Sequence, residues 1–286
     1  MADNTRLYRT RGTSDCPISK TCYRPSRIMP DFALIHWHPD IEFLYVEEGS
    51  FNMRADQNTL QLFPGDIRLV TPGQIHGIQC LTPSGKYWSI AFSPVLISLP
   101  ENHFFQKEFS LPLQEGQLTL PPVLRPSDAL YPSVFRHITS ILNCDESAPD
   151  YKPVVFSSAI AVCAALMPYC KKVSAQEAAP GNMTVRACVD YMQAHYAEKI
   201  SLQEIADSVY LHPNYLCSLF KKYTGQTVFD YLTQYRIQQA AMLLRHQPMP
   251  IAQVAERCGF NSPSLFAQKF REQMGTSPKA YCKNHS

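Results

Sequence analysis

Four side chains near the start of the chain are spaced as a set that could bind something. His36 and His38 flank Trp37, Glu42 follows four residues later, and His76 comes just after Pro72-Gly73. On an extended segment alternate residues share a face, so His36 and His38 point the same way and Glu42 joins them where the register holds. Imidazole and carboxylate together donate and accept hydrogen bonds, which suits a hydroxyl-rich ligand. Three imidazoles and a carboxylate are also a donor set for a divalent transition metal, and a purely structural hydrogen-bonded pair is a third reading. The expectation is that His36, His38, Glu42 and His76 line a pocket for a small-molecule ligand, with no cofactor; a metal held by the same four residues is the alternative. Trp37, on the opposite face, is expected in packing rather than ligand contact.

The surrounding sequence supplies short strands to carry these residues. Ile41–Glu47, Asp66–Thr71 and Tyr87–Phe92 are β-type runs, with turns marked by Gly49, Pro64-Gly65 and Pro72-Gly73. Strands at this spacing predict a small barrel or two-sheet sandwich over residues 1–125. Two helices follow, at 127–142 and 153–169, within a helical segment 126–171. The second is nearly all apolar but too short and interrupted for a membrane span, so it is either a buried helix or a dimer face. Residues 172–182, with Ser, Ala, Gln, Pro and Gly, read as a flexible linker.

Residues 183–286 contain one pattern twice. Ile205, Ala206 and Val209 give a short helix an apolar face; a turn follows, then Pro213, Leu216, Leu219 and Phe220. The second copy has Val254 and Ala255, the turn Cys258-Gly259-Phe260-Asn261, then Pro263, Leu265, Phe266 and Phe270. Phe220, Gly225 and Tyr231 recur as Phe270, Gly275 and Tyr281 at one constant offset, while Ala206 and Ala255 are one residue closer, so the second turn is one residue longer. Each Pro fits a first helical turn, where the missing N–H costs nothing, and Gly259 suits a backbone conformation other residues resist. Between the copies, Val228, Tyr231, Leu232, Tyr235 and Leu243 recur at helical spacing over 228–246, a helix of about 28 Å.

Composition narrows the function. The 286 residues carry a net charge of +2, but residues 181–286 hold 11 Lys and Arg against 7 Asp and Glu, and the rest 15 against 17. A mildly basic C-terminal part suits phosphate contact. Ten cysteines without a Cys-x-x-Cys pair or metal-finger spacing, and a polar N-terminus, fit free thiols in a reducing cytoplasm. Cys16 and Cys22 alone cannot form the zinc-bound cluster that a DNA-repair reading would need.

From about Thr184 to Tyr281 the chain resembles the DNA-binding domain of AraC/XylS-family transcription regulators. The run Gly259-Phe260-Asn261-Ser262, Phe270, and the ending Gly275-x-x-Pro278-x-x-Tyr281 carry the likeness. His36-x-His38-x-x-x-Glu42, Gly49, Gly65 and Pro72-Gly73-x-x-His76 are similar to the cupin double motif. The resemblance implies an α+β multidomain protein: a cupin-like β-barrel with dimerisation helices, then an all-α domain of seven helices with two helix-turn-helix motifs. It implies that Asn214, Cys217 and Ser218 in the first motif, and Ser264 and Gln268 in the second, face bases in the major groove. Lys221, Lys222, Lys269 and Arg271, at the distal ends of the recognition helices, would contact phosphate. Cys217 and Ser218 are shorter than the long polar side chains common there, which puts weight on Gln268 and Asn214. The implied protein is a cytoplasmic, nucleoid-associated bacterial regulator, not an enzyme and not bound to a membrane. It would act as an activator on promoter DNA, pairing as a homodimer, contacting RNA polymerase and sensing a sugar or glycoside; a metal-dependent cupin enzyme fused to a DNA-binding domain is the alternative. Communication between the halves is expected through an N-terminal arm bearing Arg6, Arg9 and Arg11, or through the dimer partner, because the linker reads as flexible.

Overall fold

The computed structural model describes residues 16–25, 33–173, 180–246 and 249–285. Eight strands come first among the described residues: β1 (Ile18–Tyr23), β2 (Ala33–His36), β3 (Ile41–Glu48), β4 (Phe51–Ala55), β5 (Asn58–Leu62), β6 (Ile67–Val70), β7 (His76–Cys80) and β8 (Lys86–Phe92). After a short helix α1 (Leu111–Gln114) come β9 (Leu118–Thr119) and β10 (Val123–Leu124), then α2 (Tyr131–Asn143), α3 (Tyr151–Leu166) and β11 (Lys171–Lys172). One antiparallel sheet runs β1-β8-β3-β6-β10 and a second runs β2-β7-β4-β5, while β11 pairs with β9.

Strand alternation sorts β3 between two cores. Leu44 and Val46 meet Phe51, Met53, Leu62 and Ile78 of the other sheet, closing the space between the sheets. Ile41 and Phe43 point the other way and pack with Val134, Ile138 and Ile141 of α2 and Val155, Ala159 and Val162 of α3. Glu42 shares the parity of Leu44, so its carboxylate is directed between the sheets. Among the described helices, Tyr151–Tyr169 has the length and apolarity of a membrane span. Its Val155, Ala159, Val162, Cys163 and Leu166 are buried in this core, which accounts for one face of it, while Phe156 is exposed. Burial raises the Cys163 thiol well above its ordinary range.

Part of the expected linker is structured. Lys172 pairs with Leu118 in the β11–β9 ladder, and Pro180 already opens a helix; residues 174–179 and Arg6, Arg9 and Arg11 lie outside the described residues. Seven helices follow among the described residues: α4 (Pro180–Ala194), α5 (Leu202–Ser208), α6 (Pro213–Thr224), α7 (Val228–His246), α8 (Ile251–Arg257), α9 (Pro263–Met274) and α10 (Pro278–His285). Ser201 caps α5 in a reciprocal pair with Glu204. His212 and Ser262 cap α6 and α9, each with Pro at the first position, and Gly225 and Gly275 end them in left-handed backbone. The long α7 belongs to two cores. Val228, Tyr231 and Leu232 pack with Val185, Ile205, Leu216 and Phe220, whereas Ile237, Ala240 and Leu244 pack with Val254, Phe266, Phe270 and Tyr281.

Candidate functional site

The four residues singled out near the N-terminus meet in space, though not along a single strand. His36 ends β2 and lies opposite His76 of β7, while the chain bends through Trp37–Asp40 before Glu42 in β3 of the other sheet. The cluster therefore sits between the two sheets. His38, Glu42 and His76 are only 3%, 4% and 2% exposed. The Nε2 atoms of His38 and of His76 each lie 3.1 Å from Glu42 Oε2. Ser89 donates its hydroxyl to Glu42 Oε1 from the neighbouring strand β8. The His36 ring stands 4.2 Å from that of His76, centroid to centroid.

The hydrogen-bond directions constrain what the cluster can hold. His38 Nδ1 faces the Asp40 carbonyl at 3.1 Å, and His76 Nδ1 faces the Gln74 carbonyl at 2.8 Å. Carbonyls only accept, so each Nδ1 must carry a proton. A neutral ring then turns an Nε2 lone pair toward Glu42, which also only accepts when ionised. Burial holds the His76 ring below its ordinary value, against the opposing pull of Glu42. Acceptors thus converge, and such a centre suits protons, a donor hydroxyl or a cation. One ligand atom from each of His36, His38 and His76 lies within 4.8 Å of the others, so three imidazoles and a carboxylate could hold a transition metal.

Around this cluster, the barrel touches the helical part. Trp37 is half-buried, but its packing is not confined to the barrel: Nε1 donates to Asp190 Oδ1 of α4 at 3.0 Å, and the Arg186 guanidinium lies 4.2 Å above its ring. Asp56, beside the β4 end, accepts from Ile75 N, Gln74 Nε2 and Asn182 Nδ2. Burial pushes the Asp56 carboxyl above its usual range, with the hydrogen bonds from Gln74 and Ile75 opposing.

The second candidate surface is built by α6 and α9. Buried Leu216 and Phe220 orient α6, leaving Asn214, Cys217, Ser218, Lys221 and Lys222 exposed. Buried Phe266 and Phe270 do the same for α9, exposing Ser264, Gln268 and Arg271. Ser264, Gln268 and Arg271, with Ala267 and Glu272, line one shallow cleft. Glu272 escaped the sequence reading, yet it accepts from Gln268 Nε2 at 2.8 Å and from Lys269 Nζ at 2.8 Å. Its partners hold the Glu272 carboxyl below its usual range, Lys269 first. Tyr215 and Leu265, large apolar residues at matched positions of the two helices, are also exposed; Leu265, expected on the core stripe with Phe266 and Phe270, faces outward instead. Ser89, Arg54 and Asp190 were missed as well, because their partners are far away in sequence.

Comparison with known proteins agrees with this architecture. Residues 20–123 match the AraC-like ligand binding domain, and residues 205–284 match a helix-turn-helix domain. The chain is 21% identical to the HTH-type transcriptional regulator YdeC of Bacillus subtilis, over 96% of this chain and 94% of that protein. It is 24% identical to the arabinose operon regulatory protein of Salmonella typhimurium, over 82% of this chain and 79% of the relative. Among solved structures it shares the fold of ToxT from Vibrio cholerae, at 14% identity and a TM-score of 0.50, covering 94% of this chain and 99% of that one. These relatives are regulators rather than enzymes, which removes the fused-enzyme alternative. With a ligand-binding domain ahead of a DNA-binding domain that carries two helix-turn-helix motifs, the chain belongs to the AraC family of transcription regulators.

Proposed function

We propose that this regulator is an activator whose effector is a hydroxyl-rich small molecule of the sugar or glycoside class, bound against His36, His38, Glu42 and His76. The observation that carries this reading is the convergence of acceptors between the two sheets. A ligand hydroxyl donates into such a centre. On the DNA side, Asn214, Cys217, Ser218, Ser264 and Gln268 read bases, and Lys221, Lys222, Lys269 and Arg271 bind phosphate. The division 1–125, 126–171, 172–182 and 183–286 separates barrel, helical segment, linker and DNA-binding domain. The working form is a cytoplasmic homodimer that contacts RNA polymerase at its promoter. Thermal-shift screening of the full chain against sugars and glycosides tests the effector class. A hit whose shift disappears in both Glu42→Gln and His76→Ala supports the site; a hit retained in both moves the pocket elsewhere.

A second reading has its own support. The same convergent lone pairs, with the Nδ1 of His38 and of His76 each backed by a carbonyl, suit a divalent transition metal on His36, His38 and His76, with Glu42 beside the last two. Such an ion would supply positive charge at the centre and fix the imidazoles. Metal analysis of the purified protein separates the two readings: a stoichiometric ion lost in Glu42→Gln favours the metal.

A further inference from the structure

The barrel grips one helix-turn-helix unit and not the other. Ile75, next to His76, is fully buried inside the core built by α4, α5, α6 and the first part of α7, with Ile35 and Trp37 packed against it. The second core, around α8, α9 and α10, contains no barrel residue among those described. Hydrogen bonds cross at the same place. Arg54 of β4 donates from Nη2 to the Lys222 carbonyl at 2.7 Å and from Nε to the Tyr223 carbonyl at 2.9 Å. These carbonyls belong to the last turn of α6, where backbone acceptors have no partner within the helix and the helix dipole favours a cation. The guanidinium sits so close to Gly225 that a Cβ there would lie 2.9 Å from Arg54 Nη1. Asn182 Nδ2 donates to Asp56 Oδ1 at 2.7 Å, and Arg186 Nη1 to the Gly73 carbonyl at 3.1 Å.

The gripping residues are also the neighbours of the buried cluster. Trp37 lies between His36 and His38, and Ala55, flanked by Arg54 and Asp56, pairs with His76 across β4 and β7. Gln74 accepts from His76 through its carbonyl and donates to Asp56 through its side chain. A change in how the cluster is filled therefore displaces residues that touch α4 and α6 directly. The expected route through the N-terminal arm or the dimer partner is not needed for this coupling.

Resting on the effector reading above, we propose that the barrel controls DNA binding through the first helix-turn-helix unit alone. Docked, the Arg54 clamp occupies the end of α6 from which Lys221 and Lys222 reach out, and restrains that unit. The second unit binds its subsite whether or not the barrel is docked. Effector binding then acts by releasing the clamp, a change in the population of two states.

The test uses the full chain and a duplex that the wild-type protein selects from random sequence with no ligand added. A photo-crosslinker placed at Cys217 or at the matched Ala267 marks which subsite each unit occupies. Affinity is then measured on two duplexes, each with one subsite scrambled, for wild type, Arg54→Ala and Trp37→Phe, with cooperative melting as the control for folding. Arg54→Ala should bind the duplex that keeps the first subsite about fivefold or more tightly, the low end of ordinary allosteric coupling. Its affinity for the duplex that keeps the second subsite should not change, and Trp37→Phe should move the same way if Arg54→Ala folds poorly. An equal gain on both duplexes, or no gain on the first, overturns the proposal while leaving the effector reading intact. Retained sugar affinity in Glu42→Gln and His76→Ala overturns the effector reading and leaves the clamp result standing.

Discussion

Tyr210 and Gly259 occupy the same place in the two turns, and both adopt left-handed backbone, with φ of +56° and +76°. The turn requires that conformation whatever residue fills it, because the N–H of the following residue, Leu211 or Phe260, reaches back to Ala206 or Ala255. Glycine adopts it freely, whereas for an L side chain it costs about 1–2 kcal/mol. Tyr210 is 96% exposed, so little packing offsets the strain. Tyr210→Gly should therefore stabilise the chain by about 0.5–1 kcal/mol after the added chain entropy is subtracted, read as a raised midpoint in urea. The reverse change, Gly259→Ala, should destabilise by about 1–3 kcal/mol, since its Cβ would also lie 2.6 Å from the Tyr196 carbonyl.

Glu272 holds both Gln268 and Lys269 in the free protein. If Gln268 reads a base and Lys269 binds phosphate, as proposed above, DNA binding exchanges these hydrogen bonds for contacts to DNA. Glu272→Ala should raise affinity for non-specific duplex and steepen the log-affinity against log-salt slope by up to about 0.9, one released phosphate-binding charge. Gln268→Ala should instead weaken the selected site and leave non-specific binding nearly unchanged; equal loss on both duplexes would contradict a base-reading role.

The four cations at the ends of α6 and α9 give a larger effect of the opposite sign. Replacing Lys221, Lys222, Lys269 and Arg271 together by alanine should shallow the salt slope by about 0.9 for each phosphate that is no longer neutralised. A slope unchanged in this variant assigns phosphate binding to other residues.

Asp56 accepts three hydrogen bonds, so removing it leaves buried donors without their acceptor. Asp56→Asn keeps the shape but puts an NH2 group in place of one oxygen, either against Gln74 Nε2 or against Ile75 N and Asn182 Nδ2, and should cost about 1–3 kcal/mol in chemical denaturation. The Asp56 carboxyl, raised by burial, favours protonation in the fold, so this residue's contribution to stability diminishes as pH rises through its folded value.

His76 acts in the opposite sense. Its ring is held below the ordinary value by burial, so between that ordinary value and the lower folded one the unfolded chain binds the extra proton. The contribution of this residue to the unfolding free energy should be flat above about pH 7 and fall as pH drops below about 6.5. His76→Gln should reduce that fall, as followed by denaturant titrations across the range.

Much of this was legible in the chain because it is local. The paired Pro213 and Pro263, the Gly225 and Gly275 ends, and the apolar spacing of α7 are short-range features whose physics is complete within a few residues. His36, His38, Glu42 and His76 could be grouped by type and spacing, but not their arrangement: Glu42 faces the imidazoles from the opposing sheet, and Ser89 completes the carboxylate from β8. The clamp was invisible for the same reason. Nothing about Arg54 as a residue type distinguishes it from a solvated strand arginine until Lys222 and Tyr223, far along the chain, come within hydrogen-bond reach. The linker misled, since its composition describes only the covalent connection and not the interface beside it.

In the base-reading arrangement proposed above, α6 and α9, joined by an α7 about 28 Å long, enter successive major grooves on one face of the DNA. Hydroxyl-radical footprinting of the full chain on a selected duplex measures this directly. Two protected windows about 10 base pairs apart on the same face, the first lost when the subsite marked from Cys217 is scrambled and the second when that marked from Ala267 is scrambled, is the predicted result. A single window, or two windows that vanish together whichever subsite is scrambled, would contradict it.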